Sequence, residues 1–337
     1  MMQVSRLILV NCITEETTAE NIAFHRLLVP HIRTNYQLQE ENGMKKMFDD
    51  NEYYWFSNVL QDNGMWKDAE YFQHQIVRTR IKKWKLRGKH PSTLASMGNL
   101  AVTYLMQGKY KEAEDLLLKV LELHKKVLGL EHQNTLTNMF YLAGTLSYQG
   151  KYDESEELQV KVLDLCKKKL GLEHPHNLVS MSHLAAIYSN QGKYEKAEQL
   201  QLKALDLHKK VLQLEHPYTL GSMSYLALTY SKQGKYEKAE QLQLKVLELH
   251  KKVLGPEHPD TLTSMFHLAK IYSNQGKYEE AGELQLKVLG LCKKVLGPEH
   301  PHTLVSMSHV AATYTNQGKY EKAEQLQLMA WICIKRY

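Results

Sequence analysis

The sequence predicts an all-α fold, a right-handed superhelical solenoid of antiparallel helix pairs. Two observations predict it: motifs recur at a fixed interval, and apolar residues inside each recurrence are spaced three and four apart. Histidine returns at His90, His132, His174, His216, His258 and His300, every 42 residues, followed by proline except where Gln133 stands. Ala101, Ala143, Ala185, Ala227, Ala269 and Ala311 keep the same phase, as does a Gly-Lys-Tyr tripeptide first seen at Gly108 to Tyr110. Six positions in register identify a repeat protein.

Each repeat reads as two helices. In the unit from His174 the first runs from about Pro175 to Asn190, with Leu178, Met181, Leu184, Ala185 and Tyr188 on one face. Proline in its first turn loses no hydrogen bond, because that amide has no intrahelical acceptor. Gln191-Gly192 breaks the helix, and a second runs from about Tyr194 to Leu212 with a wider apolar stripe. Ala185 and Ala197 let the two backbones approach, while Glu195, Lys196 and Glu198 are expected to point outward. Gly129, Gly171, Gly255 and Gly297 terminate the second helices; Gln213 holds that place once and predicts a less sharply capped end. One pair cannot bury its own stripe, so pairs stack.

The organisation reads as an irregular or helical extension over 1–49, a degenerate first unit over 50–89, and six units over 90–337, the last truncated. The extension suggests one irregular helix from Ala23 to Gln39, interrupted near Pro30. Tyr53, Phe56, Ser57, Leu60, Ala69, Phe72 and Ile76 carry the degenerate unit's apolar faces. After Leu328 the last helix departs from the template into Met-Ala-Trp-Ile-Cys-Ile-Lys-Arg-Tyr. Trp331, Ile332 and Ile334 there either curl onto the last pair, invite association, or continue into a longer protein.

Composition fits this reading. Hydrophobic residues make up 43% and charged residues 24%, which is a foldable chain and not a disordered tail. Twenty tyrosines against six phenylalanines suit thin layers with much surface, because the ring packs while the hydroxyl reaches water. Four cysteines without a CxxC pair make no disulfide framework, and Leu7 to Val10 is far too short to span a membrane. A cytoplasmic location is expected, with no transmembrane segment.

The string Leu184 to Glu198, Leu-Ala-x-x-Tyr-Ser-Asn-Gln-Gly-Lys-Tyr-Glu-Lys-Ala-Glu, resembles the tetratricopeptide repeat (TPR). With Leu-Gly-Pro-Glu-His-Pro between units, at Leu254 to Pro259 and Leu296 to Pro301, the 42-residue form resembles the kinesin light chain branch. It is also similar to the repeat regions of fungal nucleotide-binding immune-type receptors. The resemblance covers about residues 50–330 and implies a TPR-like solenoid whose first helices line a concave wall. It implies a protein- or peptide-binding scaffold, with a kinesin light chain-like cargo adaptor or a ligand-sensing fragment of a larger signalling NTPase as alternatives. Residues 1–49 carry no sustained heptads, and no GxxxxGK[ST] loop occurs, so the resemblance reaches only the ligand-reading part of either.

On that wall three columns of first-helix positions vary between units. The first is Asn99, Tyr141, His183, Tyr225, His267 and His309. The second is Met106, Tyr148, Asn190, Lys232, Asn274 and Asn316, and the third includes Phe140 and Phe266. Repeats stacked roughly 10 Å apart would present amides to the backbone of an extended peptide and aromatic or imidazole rings to its side chains.

Residues 78–89 hold seven basic side chains and no acidic one, which suits an acidic partner or a solvated helix end with Ile81 and Trp84 turned inward. The basic track is too short for nucleic acid. The boundary histidines lie too far apart for a metal and read as turn residues. Cys166 and Cys292 read as semi-buried fillers. Ser180, Ser222, Ser264 and Ser306 repeat with the fold and read as helix surface, not nucleophiles. No enzyme motif and no cofactor site is found.

Overall fold

The computed structural model describes residues 13, 24–34, 49–84 and 90–336, the side chains of 84 and 334–336 excepted. Among the described residues all regular structure is α-helical. Two compact units divide the chain, residues 1–169 and 170–337. Within each, antiparallel helix pairs stack as in a TPR-like right-handed superhelical solenoid.

The first unit opens with α1 (24–34), followed by the pairs α2 (Asp50–Asp62) with α3 (Trp66–Trp84), α4 (Pro91–Met106) with α5 (Tyr110–Val127), and α6 (Gln133–Tyr148) with α7 (Tyr152–Leu170). The second holds α8 (Pro175–Asn190) with α9 (Tyr194–Leu212), α10 (Pro217–Lys232) with α11 (Tyr236–Leu254), α12 (Pro259–Asn274) with α13 (Tyr278–Val295), and α14 (Pro301–Asn316) with α15 (Tyr320–Arg336). Helix α1 passes through Pro30 without a break, contrary to the expected interruption, and Leu28, Val29 and Ile32 close over Tyr53, Phe56 and Phe72. The expected stretches at 23 and 35–39 lie outside the described residues.

The recurrent histidine is a helix cap. Nδ1 of His90, His132, His174, His216, His258 and His300 accepts the backbone N–H two residues on, at 3.1–3.2 Å. That satisfies one of the amides a helix start leaves open. The other end of each first helix closes on glycine: Gly108 N–H donates to Leu105 and Lys109 N–H to Tyr104, a Schellman pattern with Gly108 at φ 73°.

Packing rests on small residues. Ala185 and Ala197 have no exposed surface, and Ala101, Ala143, Ala227, Ala269 and Ala311 are equally buried. Second helices then meet the next pair's first helix through buried polar contacts that the sequence had not suggested. Ser222 Oγ lies 2.9 Å from His208 Nδ1 and Ser264 Oγ 2.6 Å from His250 Nδ1. Ser306 Oγ donates to Cys292 Sγ at 3.8 Å. The Ser-Met serines are therefore interior, not helix surface, and Cys166 and Cys292 are fully rather than partly buried.

A second correction concerns Glu198, which does not point to bulk water. Its Oε2 accepts from Gln233 Nε2 at 2.9 Å and from Lys235 Nζ at 2.8 Å, tying one pair to the next. Glu240 repeats the clamp with Gln275 and Lys277, Glu114 with Gln149 and Lys151, and Glu70 with Gln107 and Lys109. The bonds from Lys235 and Lys277 hold the carboxyls of Glu198 and Glu240 below the ordinary range. The Gln-Gly-Lys run is thus a turn and an inter-repeat latch at once.

At the far end α15 runs on as helix to Arg336 through the residues that depart from the repeat template after Leu328. Ala330 packs on Leu289, Met307 and Val310, while Trp331 and Ile332 are exposed.

Gln213 adopts φ 69° and ψ 174°, close to the φ 87° and ψ 165° of Gly255. The end is as sharply turned as its glycine counterparts, at a conformational cost on the order of 1–3 kcal/mol for a side chain in that region. Gln213→Gly is expected to stabilise the protein by about 1–2 kcal/mol, read as a higher urea midpoint; an unchanged or lower midpoint would contradict this strain.

Burial is the main cause that lowers the imidazoles of His124, His208 and His250 below their ordinary value. As pH falls past about 6.5 the unfolded chain takes up these protons first, so native stability declines below that point and is unaffected by these groups above it. Urea unfolding between about pH 7.5 and about pH 5.5 checks this. The loss is expected to be smaller in a His208→Asn, His250→Asn variant.

Candidate functional site

The three variable columns run along the first helices. Met106, Tyr148, Asn190, Lys232, Asn274 and Asn316 are all exposed, one per repeat. Exposure follows from helical spacing: Leu178, Met181 and Ala185 are buried along one side, which leaves 183 and 190, seven residues apart, on the opposite one.

In the first unit Asn99 is exposed and Tyr141 half-buried, with Phe140 packing edge-on to Tyr141 at 5.6 Å. Tyr148, 67% exposed, stacks parallel on Tyr110 at 5.8 Å. That leaves a broad flat aromatic surface open to solvent.

The second unit gathers more. Asn190, Tyr225, Lys232 and Asn274 all line one cavity of about 180 Å³ among α8, α10 and α12. Lys232 Nζ donates to Ser189 Oγ at 3.1 Å, and Asn274 Nδ2 to Ser231 Oγ at 2.9 Å. Both side chains are steered by a serine of the preceding first helix, so the cavity's polar groups are held in place. Lys270 also lines it and was not picked out from the sequence. Its column otherwise holds Val102, Gly144, Ala186, Leu228 and Ala312. The one signal was a lone charge among small and apolar residues.

Beside the cavity a ring cluster forms. Phe266 meets His309 edge-on at 4.5 Å, and Ser224 Oγ lies 2.9 Å from His267 Nδ1. Burial, assisted by the Lys270 charge, pushes His267 down to about 4 and lowers His309. Burial lowers the Lys232 ammonium, with Lys270 again contributing. His183 is exposed, and desolvation by the wall around it lowers its imidazole too, with no cation involved. Asn99 and Asn316 join neither cluster.

The basic stretch is less available than its composition suggests. Arg80 is engaged by Asp50 at 3.1 Å and by Ser96 Oγ at 2.6 Å. Ile81 is exposed, not turned inward, whereas Trp84's side chain and residues 85–89 lie outside the described residues. Among the described residues no group of three or more His, Cys, Asp or Glu could hold a metal ion, and no helix is long and apolar enough to cross a membrane.

A tetratricopeptide repeat family model matches residues 53–126, 93–168, 134–210, 218–281 and 267–330. The chain belongs to the tetratricopeptide repeat family. The TPR is a scaffold fold without catalytic machinery. Among solved structures the chain is similar to nearly identical TPR-like repeats from Podosopora anserina, provisionally assigned as a kinesin light chain. Identity is 34% over 61% of this chain and 97% of that one, at a TM-score of 0.50. The fold alone is shared with the apo quorum sensor NprR of B. thuringiensis, at 17% identity over 93% of this chain and 86% of that one, TM-score 0.60. It is also shared with the Pyrococcus horikoshii STAND protein PH0952, which has a TPR sensor, at 16% identity over 98% of this chain and 47% of that one, TM-score 0.52. No curated protein matches the chain significantly. The chain is thus related to kinesin light chain-like TPR repeats, and fungal immune receptors are not singled out.

Removing Lys270 tests the local field. Lys270→Met is expected to raise the His267 and His309 titrations and leave His183 in place, since only the first two feel that charge. Imidazole NMR titrations read all three; a common shift would count against it.

Proposed function

We propose that this TPR chain is a protein- or peptide-binding scaffold that receives an extended segment along the concave face expected of its first helices. The observation that supports the reading most is the cavity bringing Asn190, Tyr225, Lys232 and Asn274 together on three successive first helices. The amides of Asn190 and Asn274, on either side of Lys232, suit the backbone of an extended strand, and Tyr225 offers an exposed ring beside them. A reducing, cytoplasmic setting belongs to the same reading, supported by the unbridged thiols of Cys292 and Cys333.

Within it, a kinesin light chain-like cargo adaptor is favoured by the 34% identity to the Podosopora anserina repeats. The ligand-sensing portion of a larger signalling NTPase, including the receptor type named above, stands as the second setting. Co-purification with a motor heavy chain supports the first; an NTPase encoded in the same reading frame supports the second. An acidic partner at 78–89 would have to use the exposed Lys82 and Lys83, since Arg80 is engaged internally.

The groove itself is tested by selecting peptides from a displayed random library on the full chain. Asn190→Ala, Tyr225→Ala and Asn274→Ala are each expected to weaken the selected peptides about five- to tenfold, the worth of one hydrogen bond or ring contact. Affinities that stay unchanged in all three variants would move the binding surface off this face.

A further inference from the structure

Helix α15 carries apolar residues at places where the other second helices do not. Met329 stands in a column that is otherwise Lys119, Lys161, Lys203, Lys245 and Lys287. Ile332 stands in a column that otherwise holds Glu122, Asp164, Asp206, Glu248 and Gly290. Trp331 takes the place of Leu205, Leu247 and Leu289. Leu328, Met329, Trp331 and Ile332 are all exposed, and they adjoin one another because residues three and four apart are neighbours on a helix surface. Together they present on the order of 400 Å² in one patch, the size that marks a contact surface.

At the Trp331 column the cause is plain. Leu205 and Leu289, both 5% exposed, lie against the first helix of the next pair, whereas Trp331 is 52% exposed. The Met329 and Ile332 columns behave differently. In all five earlier repeats their residues stay exposed although another pair follows. One more stacked pair therefore does not reach Met329 and Ile332, and the patch calls for an occupant outside the repeat stack.

The first pair shows which contacts between copies are available. Tyr53 and Phe56 hold the places of Met223 and Leu226, which take Leu205 of the preceding pair, and α1 seals them with Leu28, Val29 and Ile32. A head-to-tail row of copies is blocked there. The apolar side of a second α15 is exposed, and no charged residue lies between Leu328 and Ile332. Crossing two copies of α15 antiparallel lays apolar on apolar and keeps the two Glu324 carboxylates roughly 20 Å apart, about two Debye lengths.

We propose that a second copy of this chain covers the apolar side of α15, the two helices crossing about a two-fold axis at Leu328 to Ile332. Such a contact closes after two copies. Both patches with the flanking Tyr320 and Gln327, also exposed, amount to roughly 1,200 Å², the lower edge of a specific interface. The dimer does not rest on the peptide-binding reading.

Sedimentation velocity on the full chain from about 1 to about 100 µM tests it, with a monomer–dimer equilibrium expected. Met329→Lys and Ile332→Glu, made singly, restore residues that other repeats carry on folded helices. Each sets two like charges near the axis and is expected to weaken the dimer about thirtyfold or more. Leu27→Lys, on the exposed side of α1, is expected to leave it unchanged. A chain that stays monomeric throughout, or a dimer that survives both α15 substitutions or is lost in Leu27→Lys, overturns the proposal. So does a mass that climbs without limit, the mark of an open contact. A monomer that instead co-sediments with phosphatidylcholine vesicles also overturns it and gives the patch to lipid.

Discussion

One constraint governs this molecule: an isolated helix pair has more apolar surface than it can cover. Leu205 on α9 is buried against Leu220, Met223 and Leu226 of α10, and Leu289 on α13 against Met307 and Val310 of α14, in each case the first helix of the next pair. Zero exposure along the alanine column is what allows that approach, since a larger side chain at Ala185 or Ala227 would hold the backbones apart. Everything polar at the interfaces is organised around this close contact. At the α9–α10 and α11–α12 junctions a Gln-Lys-Glu clamp and a Ser–His pair accompany it. Neither could form unless the small residues first brought the layers together.

How far the sequence could be read depended on how local each signal is. The limits of α8 and α9 matched the expected ones because His174, Pro175, Gly192 and the apolar spacing act within a few residues. The exposure of Met106, Tyr148, Asn190, Lys232, Asn274 and Asn316 follows for the same reason: a single helix's geometry says which side is turned from the seam. The misreadings share the opposite cause. Ser222 looked like surface because its burial comes from His208 on a different pair, and Glu198 looked solvating because Lys235 lies 37 residues away. Pro30 looked like a break, but the burial of Leu28, Val29 and Ile32 on the first pair offsets one missing backbone bond. Lys270 was overlooked because its column serves packing elsewhere, and only the layered structure turns it toward Lys232.

Repetition also makes departures informative, because each unit is a control for the others. The column holding Glu70, Glu114, Glu198 and Glu240 is interrupted by Gly282 before Glu324, and at Gly282 the latch changes form. Gln317 Nε2 moves in to donate to Tyr278 O at 2.7 Å, filling space to within 3.1 Å of where a Cβ on Gly282 would stand. Lys319, deprived of its usual partner, reaches Glu279 at 3.5 Å. The hydrogen bond from the glutamine to the preceding backbone carbonyl survives, and the charged half of the latch does not. The junction before α14 therefore retains its geometry with less electrostatic support.

The same comparison separates frame from function along the second unit. The latch lysines Lys109, Lys151, Lys235 and Lys277 each have a glutamate that returns with them, so their charge is neutralised within the fold and says nothing about a ligand. Lys232 and Lys270 return in no other repeat, and no returning glutamate was available to meet them. Placing two such charges side by side is unfavourable, as the lowered Lys232 ammonium records. The stacking frame contains nothing that requires either one: Asn190 and Asn274 fill the Lys232 column, and Ala186 and Leu228 the Lys270 column, without disturbing the packed seam. Lys232 and Lys270 thus concentrate charge where packing does not need it, in columns that vary between repeats.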